Sequence, residues 1–363
     1  MERNDIFVVY GHNEREMTEL LLKRIGIESL IVDKNTSIVL KPNLVVARPP
    51  EEGATTHPNI IEATIIHLQS LGYRNITIAE SAWVGDSTDR AFKVHGYYEM
   101  AKRYGIKLLD VKDDQYVEIN KSGVPIQFSK TVYECGFLIN FPVLKGHCQT
   151  TMTCALKNLK GCISDRSKRQ FHTMGLNKPI AVLNSVRCAE LVIVDSLNGD
   201  LDFEEGGNPV QTNRMFAGRD SVLVDTFGAD LMGFEVRHIP YISLAESLTV
   251  GSTDISKANI VELNNDRLSE TAKPTGKVRQ LAKYTDARSA CSACYGNLIH
   301  ALARLEEKGS LRRLNKTIHI GQGYKQTAFE GLGVGICTRQ GSAFVPGCPP
   351  KALDILRFLE EHL

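Results

Sequence analysis

The sequence of 363 residues lacks the features that would place it in a membrane or on nucleic acid. No apolar run approaches the roughly 20 residues that a membrane-spanning helix requires, and the charged segment Met1–Asp5 is not followed by the apolar core of a secretory signal. With 43 basic and 42 acidic side chains the formal net charge is +1, so no global field attracts nucleic acid or anionic lipid. We therefore expect a soluble cytoplasmic protein without a nucleic-acid or membrane partner.

Two common nucleotide-binding fingerprints are also missing from the sequence. No G-x-G-x-x-G follows a predicted strand, so nicotinamide binding by the usual fingerprint is not supported, and no phosphate-binding P-loop occurs. The chain has no internal repeat and no low-complexity segment. Any ligand site must therefore be built from residues outside these motifs.

Nine cysteines are present without a secretory signal, and the reducing cytosol disfavours disulfides. Clustered cysteines therefore indicate metal ligation or catalysis. Three of them, Cys148, Cys154 and Cys162, are spaced by six and eight residues, which does not stack them on one face of a helix. We interpret these three as small buried thiols.

Short β-branched runs alternate with longer segments of helical period, which predicts an α/β domain with a mainly parallel open sheet and helices on both faces. The predicted strands are Ile6–Tyr10, Ser37–Leu44, Asn75–Glu80, Gly136–Phe141, Leu191–Asp195 and Ile260–Leu263. The predicted helices span residues 58–71, 88–104, 149–160, 179–188 and 220–232. The polar stretch "SETAKPTGK" resembles a linker and places a boundary near residue 275. This divides the chain into an α/β domain at 1–275 and a small cysteine-containing segment at 276–363.

The C-terminal segment contains four cysteines whose spacing suits a metal centre: the pair Cys291-Ser-Ala-Cys294, then Cys337, then Cys348. A C-x-x-C pair brings two sulfurs to one centre from a single turn, and two thiolates from separate loops complete four ligands. Four soft ligands suit either zinc or an iron–sulfur cluster. The proline after Cys348 removes a backbone N–H and restricts the loop beside the sulfur.

The order of "CSACYGNL", "GVGICTRQG" and "FVPGCPP" resembles the proximal [4Fe-4S] site of nickel–iron hydrogenase small subunits and the related quinone-reductase subunit of respiratory complex I. The likeness covers only about 75 residues, and the rest of the hydrogenase domain is missing. It implies a [4Fe-4S] cluster, with structural zinc as the alternative, and a cluster of this kind indicates anaerobic metabolism. The implied ligands are Cys291, Cys294, Cys337 and Cys348.

A second series of motifs extends over about residues 37–250: "VLKPNLV", "GATTHP", "ITIAES", "FPVLKGH", "ALKNLKG" and "GRDSVLVD". This series resembles the domain-of-unknown-function family 362 of bacterial and archaeal proteins. The resemblance implies an α/β fold and an association with iron–sulfur segments, and it does not supply a reaction. The family usually has K-T-H where this chain has Lys145-Gly146-His147, so the freedom of the glycine bears on where His147 is placed.

Polar side chains follow the ends of three predicted strands, at the edge where open α/β sheets bind ligands. The stretch Gly53-Ala-Thr-Thr-His-Pro58 precedes a predicted helix whose N-terminus attracts carboxylates and phosphates. We therefore predict a site for a small anionic substrate or cofactor. The predicted binding residues are Lys41, Asn43, Thr55, Thr56, Ser81, Lys157 and Asn158. The predicted catalytic residues are His57, Glu80, Lys145 and His147.

Each of these residues also has a structural interpretation. The two threonines can cap the helix that follows them, and Lys157 and Lys160 can be solvated charges near a helix end. Histidine is the acid/base candidate because its pKa lies near neutrality. The stretch "NGDLDFEEGGNP" at 198–209 is interpreted as either a mobile active-site loop or an exposed turn. Asp220 is predicted to cap a helix, and Asp225 to be a carboxylate associated with packing.

These observations lead to functions of different classes. The first is an iron–sulfur oxidoreductase in which electrons pass from a ferredoxin-like donor to a small anionic substrate or cofactor in the α/β domain. The second is a non-redox isomerase or lyase that uses histidine and lysine side chains, with the cluster or zinc as a structural element. A binding or scaffold module is a third interpretation. Reversible reduction of the cluster separates the first from the other two.

Overall fold

The structure is a computed structural model that describes residues 1–266 and 276–363. It contains a large sheet with helices on both faces and a smaller α/β unit, which we call the C-terminal unit, at residues 276–363. The predicted boundary near residue 275 and most of the predicted linker lie outside the described residues. The predicted α/β fold class is confirmed.

The strands fall into one large sheet, one small sheet and two hairpins. Along the chain they are β1 (Asp5–Tyr10), β2 (Ile38–Pro42), β3 (Ile76–Glu80), β4 (Lys107–Asp110), β5 (Tyr116–Lys121), β6 (Val124–Ser129), β7 (Phe137–Phe141), β8 (Lys145–His147), β9 (Thr151–Thr153), β10 (Leu191–Ser196), β11 (Arg214–Gly218), β12 (Asn259–Glu262), β13 (Thr285–Ala287), β14 (Ile318–Ile320), β15 (Phe329–Val334) and β16 (Gly341–Val345).

The large sheet has the strand order β12-β1-β11-β10-β7-β2-β3-β4. All neighbours in it pair in parallel except β11, which runs antiparallel to both β1 and β10. Strands β2, β3 and β7 therefore end at the same edge, which is the edge that binds ligands in open α/β sheets. The predicted, mainly parallel sheet is thus observed, with one reversed strand.

Alternation along the strands divides the core between the two faces of the large sheet. In β1, Ile6 and Val8 belong to one apolar cluster, and Phe7 and Val9 belong to the other. Successive side chains of a strand point to opposite faces, so a strand rich in Val and Ile is buried on both sides only where helices cover both faces.

The helices are α1 (Glu14–Ile25), α2 (Ile27–Leu30), α3 (Pro58–Ser70), α4 (Thr88–Val94), α5 (Tyr97–Tyr104), α6 (Lys130–Glu134), α7 (Ala155–Asn158), α8 (Asp165–Thr173), α9 (Asn177–Val186), α10 (Ser221–Leu231), α11 (Pro240–Ser247), α12 (Gly276–Ala282), α13 (Ser292–Glu307) and α14 (Ala352–Glu360).

The C-terminal unit has its own parallel sheet, in the order β13-β14-β15-β16. Helices α13 and α14 pack together against it and form a third apolar cluster. Two residues from the other part of the chain, Leu201 and Val210, belong to the same cluster. The C-terminal unit is therefore joined to the large α/β domain through the segment that carries these two residues.

One predicted helix is wrong and another is divided. Residues 149–160 were expected to form one helix, but Thr151–Thr153 is strand β9, which pairs with β8, and only Ala155–Asn158 is α-helical. The predicted helix at 88–104 is two helices, α4 and α5, because Gly96 is left-handed between them. In both places the local sequence pattern is helical, but a turn interrupts the predicted helix.

In residues 1–266 and 276–363, no helix combines the length and the apolarity that crossing a membrane requires.

Candidate functional site

A cavity of about 510 Å³ opens at the carboxyl ends of β2 and β3. Lys41 lies next to the last residue of β2 and Glu80 ends β3, so the parallel pairing of these strands brings both side chains to one edge. Five Lys or Arg side chains but only three carboxylates line the cavity, which favours an anion. The lining side chains that can carry charge are Lys41, Glu80, His147, Cys148, Lys157, Lys160, Lys168, Arg169, His172, Glu204 and Glu205.

A buried network organises the wall around Lys41. The Nζ of Lys41 lies 2.5 Å from a carboxylate oxygen of Glu80 and donates to the side-chain oxygen of Asn158 at 3.1 Å. Asn43 donates to the same oxygen at 2.8 Å, and Asn158 donates to Asn140 at 2.8 Å. Because these buried groups satisfy one another, the network holds the wall in one geometry and neutralises Lys41. Lys41 is therefore a structural cation of the site.

Gly161 lies directly against this ion pair. A Cβ at position 161 would stand 1.8 Å from the Oε1 of Glu80 and 2.6 Å from the Nζ of Lys41, so only glycine fits. The carbonyl of Gly161 accepts a hydrogen bond from the Ser81 hydroxyl at 2.9 Å, and Lys168 donates to that hydroxyl oxygen at 2.6 Å. The glycine of the "ALKNLKG" motif is thus required by close approach to the ion pair.

The segment 198–209, which we call the acidic loop, places Glu204 in the cavity. One carboxylate oxygen of Glu204 lies 2.5 Å from the Nζ of Lys157, and the other lies 2.9 Å from the Nε2 of His147. Burial would raise the pKa of Glu204, but the charge of Lys157 and the hydrogen bond from His147 hold that pKa well below its usual value. Glu204 is therefore an internal anion bound to two cationic or donor side chains of the wall.

Backbone amides of the β8–β9 turn determine which ring nitrogen of His147 carries the proton. The amides of Gln149 and Thr150 donate to its Nδ1 at 3.0 and 3.2 Å, so Nδ1 is an acceptor and the ring proton lies on Nε2. Burial, together with the charges of Lys157 and Lys160, lowers the pKa of His147 although Glu204 acts to raise it. At neutral pH His147 is thus a neutral donor that points its N–H at the position of the Glu204 carboxylate.

The acidic loop is shaped by Asp200 and lies against strand β8. The carboxylate of Asp200 accepts from the backbone amides of Asp202, Phe203 and Asn208 at 2.8, 2.6 and 2.5 Å. A Cβ at Gly146 would stand 2.4 Å from the carbonyl oxygen of Leu201 and 2.7 Å from the backbone of Asp202. A threonine does not fit there, so the glycine of "LKGH" allows the loop to approach.

The acidic loop also contacts the C-terminal unit. The carboxylate of Asp202 lies 3.1 Å from the Nζ of Lys277 and 3.8 Å from the guanidinium of Arg304. Leu201 is fully buried in the apolar cluster of that unit. One short segment therefore reaches from the cavity to the helix that begins at the cysteine pair.

Three lysines near the cavity have strongly lowered pKa values. Lys145 is fully buried behind the wall, where it donates to the carbonyls of Ala54 and Glu204 at 2.5 and 2.8 Å, and burial lowers its pKa to about 7. Burial and the charge of Lys157 lower the pKa of Lys160 to about 7, and burial lowers that of Lys168 to about 8. The charge of the cavity therefore changes near neutral pH.

Seven of the predicted site residues line the cavity: Lys41, Asn43, Glu80, Ser81, His147, Lys157 and Asn158. Lys145 is connected to it through Asn43, whose side-chain oxygen lies 3.4 Å from the Nζ, and through the backbone of Glu204. The remaining three predicted residues, Thr55, Thr56 and His57, lie elsewhere in the structure.

The two threonines tie the "GATTHP" segment to its surroundings. The hydroxyl of Thr55 lies 2.8 Å from the Nε2 of His95, and that of Thr56 donates to the carbonyl of Phe141 at 2.7 Å while accepting from the amide of Asn43 at 2.8 Å. Helix α3 has no side-chain hydrogen bond at its N-cap. The interpretation of the threonines as helix caps is therefore wrong, because their hydroxyls are used inside the fold.

His57 forms a buried pair with Asp195 at the end of β10. Its backbone amide and its Nδ1 lie 2.9 and 2.7 Å from the same oxygen of Asp195. Burial lowers the pKa of His57, but the charge and hydrogen bond of Asp195 outweigh this and raise it. The pair anchors the start of α3 to the sheet, which is the structural interpretation of His57.

Sequence reasoning did not predict Glu204, Lys168 or His172 as cavity residues, although it identified the acidic stretch as a possible active-site loop. Cys148 was predicted to be a buried thiol, and this is wrong: it is exposed in the β8–β9 turn and lines the cavity. Cys154 and Cys162 are buried as predicted. Asp220 caps α10, and Asp225 accepts from the amides of α7.

The four C-terminal cysteines line one small cavity. Cys291 is the N-cap residue of α13 and Cys294 lies in its first turn, whereas Cys337 follows β15 and Cys348 follows β16. Because β13, β15 and β16 belong to one parallel sheet, the segments that follow them meet at one edge. Hydrogen bonds from the amides of Gly335 and Ile336 join the loops of the last two cysteines.

Four cysteine thiolates at one edge are a donor set that would suit an iron–sulfur cluster or zinc. Within the described ranges, no group of three or more His, Cys, Asp or Glu side chains is arranged to hold one metal ion. Tetrahedral zinc requires its ligands to converge on one point, whereas the sulfurs that bind a [4Fe-4S] cluster each bind a different iron and surround a larger space. The iron–sulfur centre stays a prediction.

The profile of a family described as a domain of unknown function (DUF362) matches residues 38–230, which is more than half of the chain. The chain belongs to the DUF362 family. The matched region contains the cavity and the acidic loop, and it ends before the four C-terminal cysteines. The family resemblance read from the motifs is therefore confirmed.

Three individual proteins are similar to this DUF362 chain in sequence or in structure. A thylakoid-associated protein of Synechocystis sp. is 23% identical over 271 residues, which cover 70% of this chain and 83% of that protein. The lactate racemase apoprotein of Thermoanaerobacterium thermosaccharolyticum aligns with 14% identity and a TM-score of 0.43, over 62% of this chain and 57% of that one. A Thermotoga maritima crystal structure aligns with 13% identity and a TM-score of 0.38, over 66% and 60%. The predicted cytoplasmic location stays a prediction.

Proposed function

We propose that the protein is an iron–sulfur oxidoreductase that binds a small anionic substrate or cofactor in the α/β cavity. The observation that carries the proposal is the acidic loop, because it places Glu204 among the cations of the cavity and Asp202 on the C-terminal unit. The two candidate sites are thus parts of one connected structure.

The thiolates of Cys291, Cys294, Cys337 and Cys348 would hold a [4Fe-4S] cluster. When bound, such a cluster supplies single-electron transfer, and a ferredoxin-like protein is the proposed electron donor. The chain's own contribution is to present four sulfurs at the edge of the small sheet. Four cysteine ligands leave no iron position open to substrate, so the anion belongs in the other cavity.

In that cavity Lys157 and His147 are the residues proposed to contact the anion. Both now bind the carboxylate of Glu204, at 2.5 and 2.9 Å. A ligand carboxylate or phosphate would replace this internal anion and accept the same two hydrogen bonds. Because its N–H lies on Nε2, neutral His147 would donate a hydrogen bond to the ligand and stabilise negative charge on it rather than serve as a base.

The iron–sulfur part of the proposal is tested by anaerobic purification. We expect about four irons and four acid-labile sulfides per chain, and a spectrum that is bleached reversibly by dithionite. Cys348→Ser should lose most of the iron, whereas Cys148→Ser, which changes an exposed thiol of the other cavity, should keep it. Stoichiometric zinc without sulfide in iron-replete anaerobic protein would contradict the proposal.

A non-redox isomerase or lyase is the second candidate, and one observation favours it. Burial lowers the pKa of both Lys145 and Lys160 to about 7, which suits proton transfer at neutral pH. In that case the cluster would be structural. A centre that cannot be reduced reversibly, in protein that still binds anions at the α/β cavity, would favour this candidate over the oxidoreductase.

A further inference from the structure

The cavity has an aromatic wall that anion binding alone does not explain. Trp83 is the only tryptophan of the chain, lines the cavity and is 47% exposed. Val45 and Val84 line the cavity beside it. A large aromatic side chain half exposed at a ligand cavity indicates a surface that is covered when the ligand binds.

Hydrogen bonds hold the backbone of Trp83 in place beside the cavity. Its amide donates to the carbonyl of Val45 at 3.1 Å, and its carbonyl accepts from the amide of Asp86 at 3.1 Å. The carboxylate of Asp86 in turn accepts from the amide of Ala47 at 3.0 Å. The indole lies so close to Gly85 that a Cβ there would stand 2.4 Å from the ring. The backbone that carries the indole is thus already ordered, which lowers the conformational entropy lost when a ligand stacks on the ring.

The size of the cavity also exceeds what a simple oxyanion requires. Its volume of about 510 Å³ is in the range of pockets that enclose organic molecules of drug or cofactor size. The cations Lys157, Lys160 and Lys168 line the same cavity as the indole. A ligand that uses the whole cavity therefore needs both a negatively charged group and a flat apolar group.

We propose that the ligand is an aromatic anion, with a planar ring stacked on Trp83 and a phosphate or carboxylate bound where Glu204 now contacts Lys157 and His147. This inference rests on the proposed anion site and narrows the class of its ligand. Aliphatic acids and simple oxyanions would fill the charged end only. Trp83 is then a specificity-determining residue for the ring.

Phenyl phosphate and methyl phosphate are the probes, because they share a head group and differ in the ring. In calorimetric titrations at one fixed pH, the wild-type protein should bind phenyl phosphate about twofold to tenfold more tightly than methyl phosphate. The tryptophan fluorescence should change with phenyl phosphate, and the signal comes from one residue because the chain has a single tryptophan. Trp83→Leu should lose the preference for the ring while keeping methyl phosphate affinity within about twofold.

Two further variants keep the test decisive. Trp83→Phe retains an aromatic ring and should retain most of the preference, which protects against a folding defect in the leucine variant. Phe203→Leu changes another exposed aromatic side chain, in the acidic loop, and should leave the preference unchanged.

The outcomes separate this inference from the proposed function. Equal affinities for the two phosphates, or a preference that survives in Trp83→Leu, would overturn the aromatic ligand while leaving the anion site intact. Binding of neither phosphate to the wild-type protein would overturn both.

Discussion

Replacing Glu204 by glutamine should convert the internal anion into a neutral side chain of the same shape. The variant should bind sulfate more tightly than the wild-type protein, because an incoming anion must first displace the carboxylate from Lys157 and His147. The two contacts measure 2.5 and 2.9 Å, so both are hydrogen bonds with charge assistance. If sulfate no longer has to replace one such contact, which is worth roughly 1.5 to 3 kcal/mol, its affinity for the protein should rise about 10-fold to 100-fold.

The same variant should be less stable without ligand. Lys157 is almost fully buried, and its ammonium would lose its carboxylate partner. Because the Glu204 side chain is itself 28% exposed, we expect a loss of about 1 to 3 kcal/mol in the free energy of unfolding rather than the full cost of a broken buried pair. Sulfate should raise the melting temperature of the variant by more than it raises that of the wild-type protein.

Isothermal titration with sulfate and thermal unfolding with and without sulfate provide the measurements. Glu205→Gln is the matched control, since it removes the same charge from the next residue, which also lines the cavity but is exposed. If Glu205→Gln tightens sulfate binding as much as Glu204→Gln, the tighter binding comes from removing any negative charge near the cavity rather than from vacating the anion position. If Glu204→Gln leaves the affinity unchanged or lowers it, Glu204 does not occupy the anion position.

Three other predictions concern pH, packing and the C-terminal unit. Sulfate affinity should be highest below about pH 7 and fall as the pH rises from about 7 to 8, because Lys160 and Lys168, with pKa values lowered to about 7 and 8, lose their protons in that interval; a flat profile in calorimetry would contradict this. Gly146→Thr should lower the unfolding free energy by about 1 to 3 kcal/mol through its clash with the acidic loop, whereas Gly11→Ala meets only a flexible methionine and should cost less in the same denaturant titration. Cys348→Ser should raise hydrogen exchange in the C-terminal unit and leave residues 1–266 protected, and a uniform rise across the chain would show that the two parts do not fold separately.

Much of the large sheet could be predicted from the sequence because its strands are buried on both faces. Runs such as Ile76–Glu80 and Leu191–Ser196 are mostly apolar and β-branched until acidic or hydroxyl side chains end them, which marks both the strand and the edge where it ends. That edge is why Lys41, Glu80 and His147 could be predicted as neighbours. Strand β11 was missed; it runs antiparallel to β10, the strand before it in the chain, and to β1 near the start of the chain.

The rest of the site could not be predicted, because it depends on one loop approaching a distant strand. Nothing local to Glu204 indicates that its carboxylate meets Lys157 and His147, since the contact is set by the packing of the acidic loop on Gly146. In the C-terminal unit the cysteines were visible in the sequence. The small sheet that assembles them was not, because two of its four strands are only three residues long.

Strand β1 has a consequence for how the chain is synthesised. It pairs with β11 on one side and β12 on the other, so both of its neighbours lie more than 200 residues later in the chain. At a translation rate of roughly 5 to 20 residues per second, a nascent β1 therefore waits about 10 to 40 s for its first partner. During that interval its unpaired backbone groups and apolar side chains are open to other chains and to chaperones, and the sheet is completed only late in synthesis.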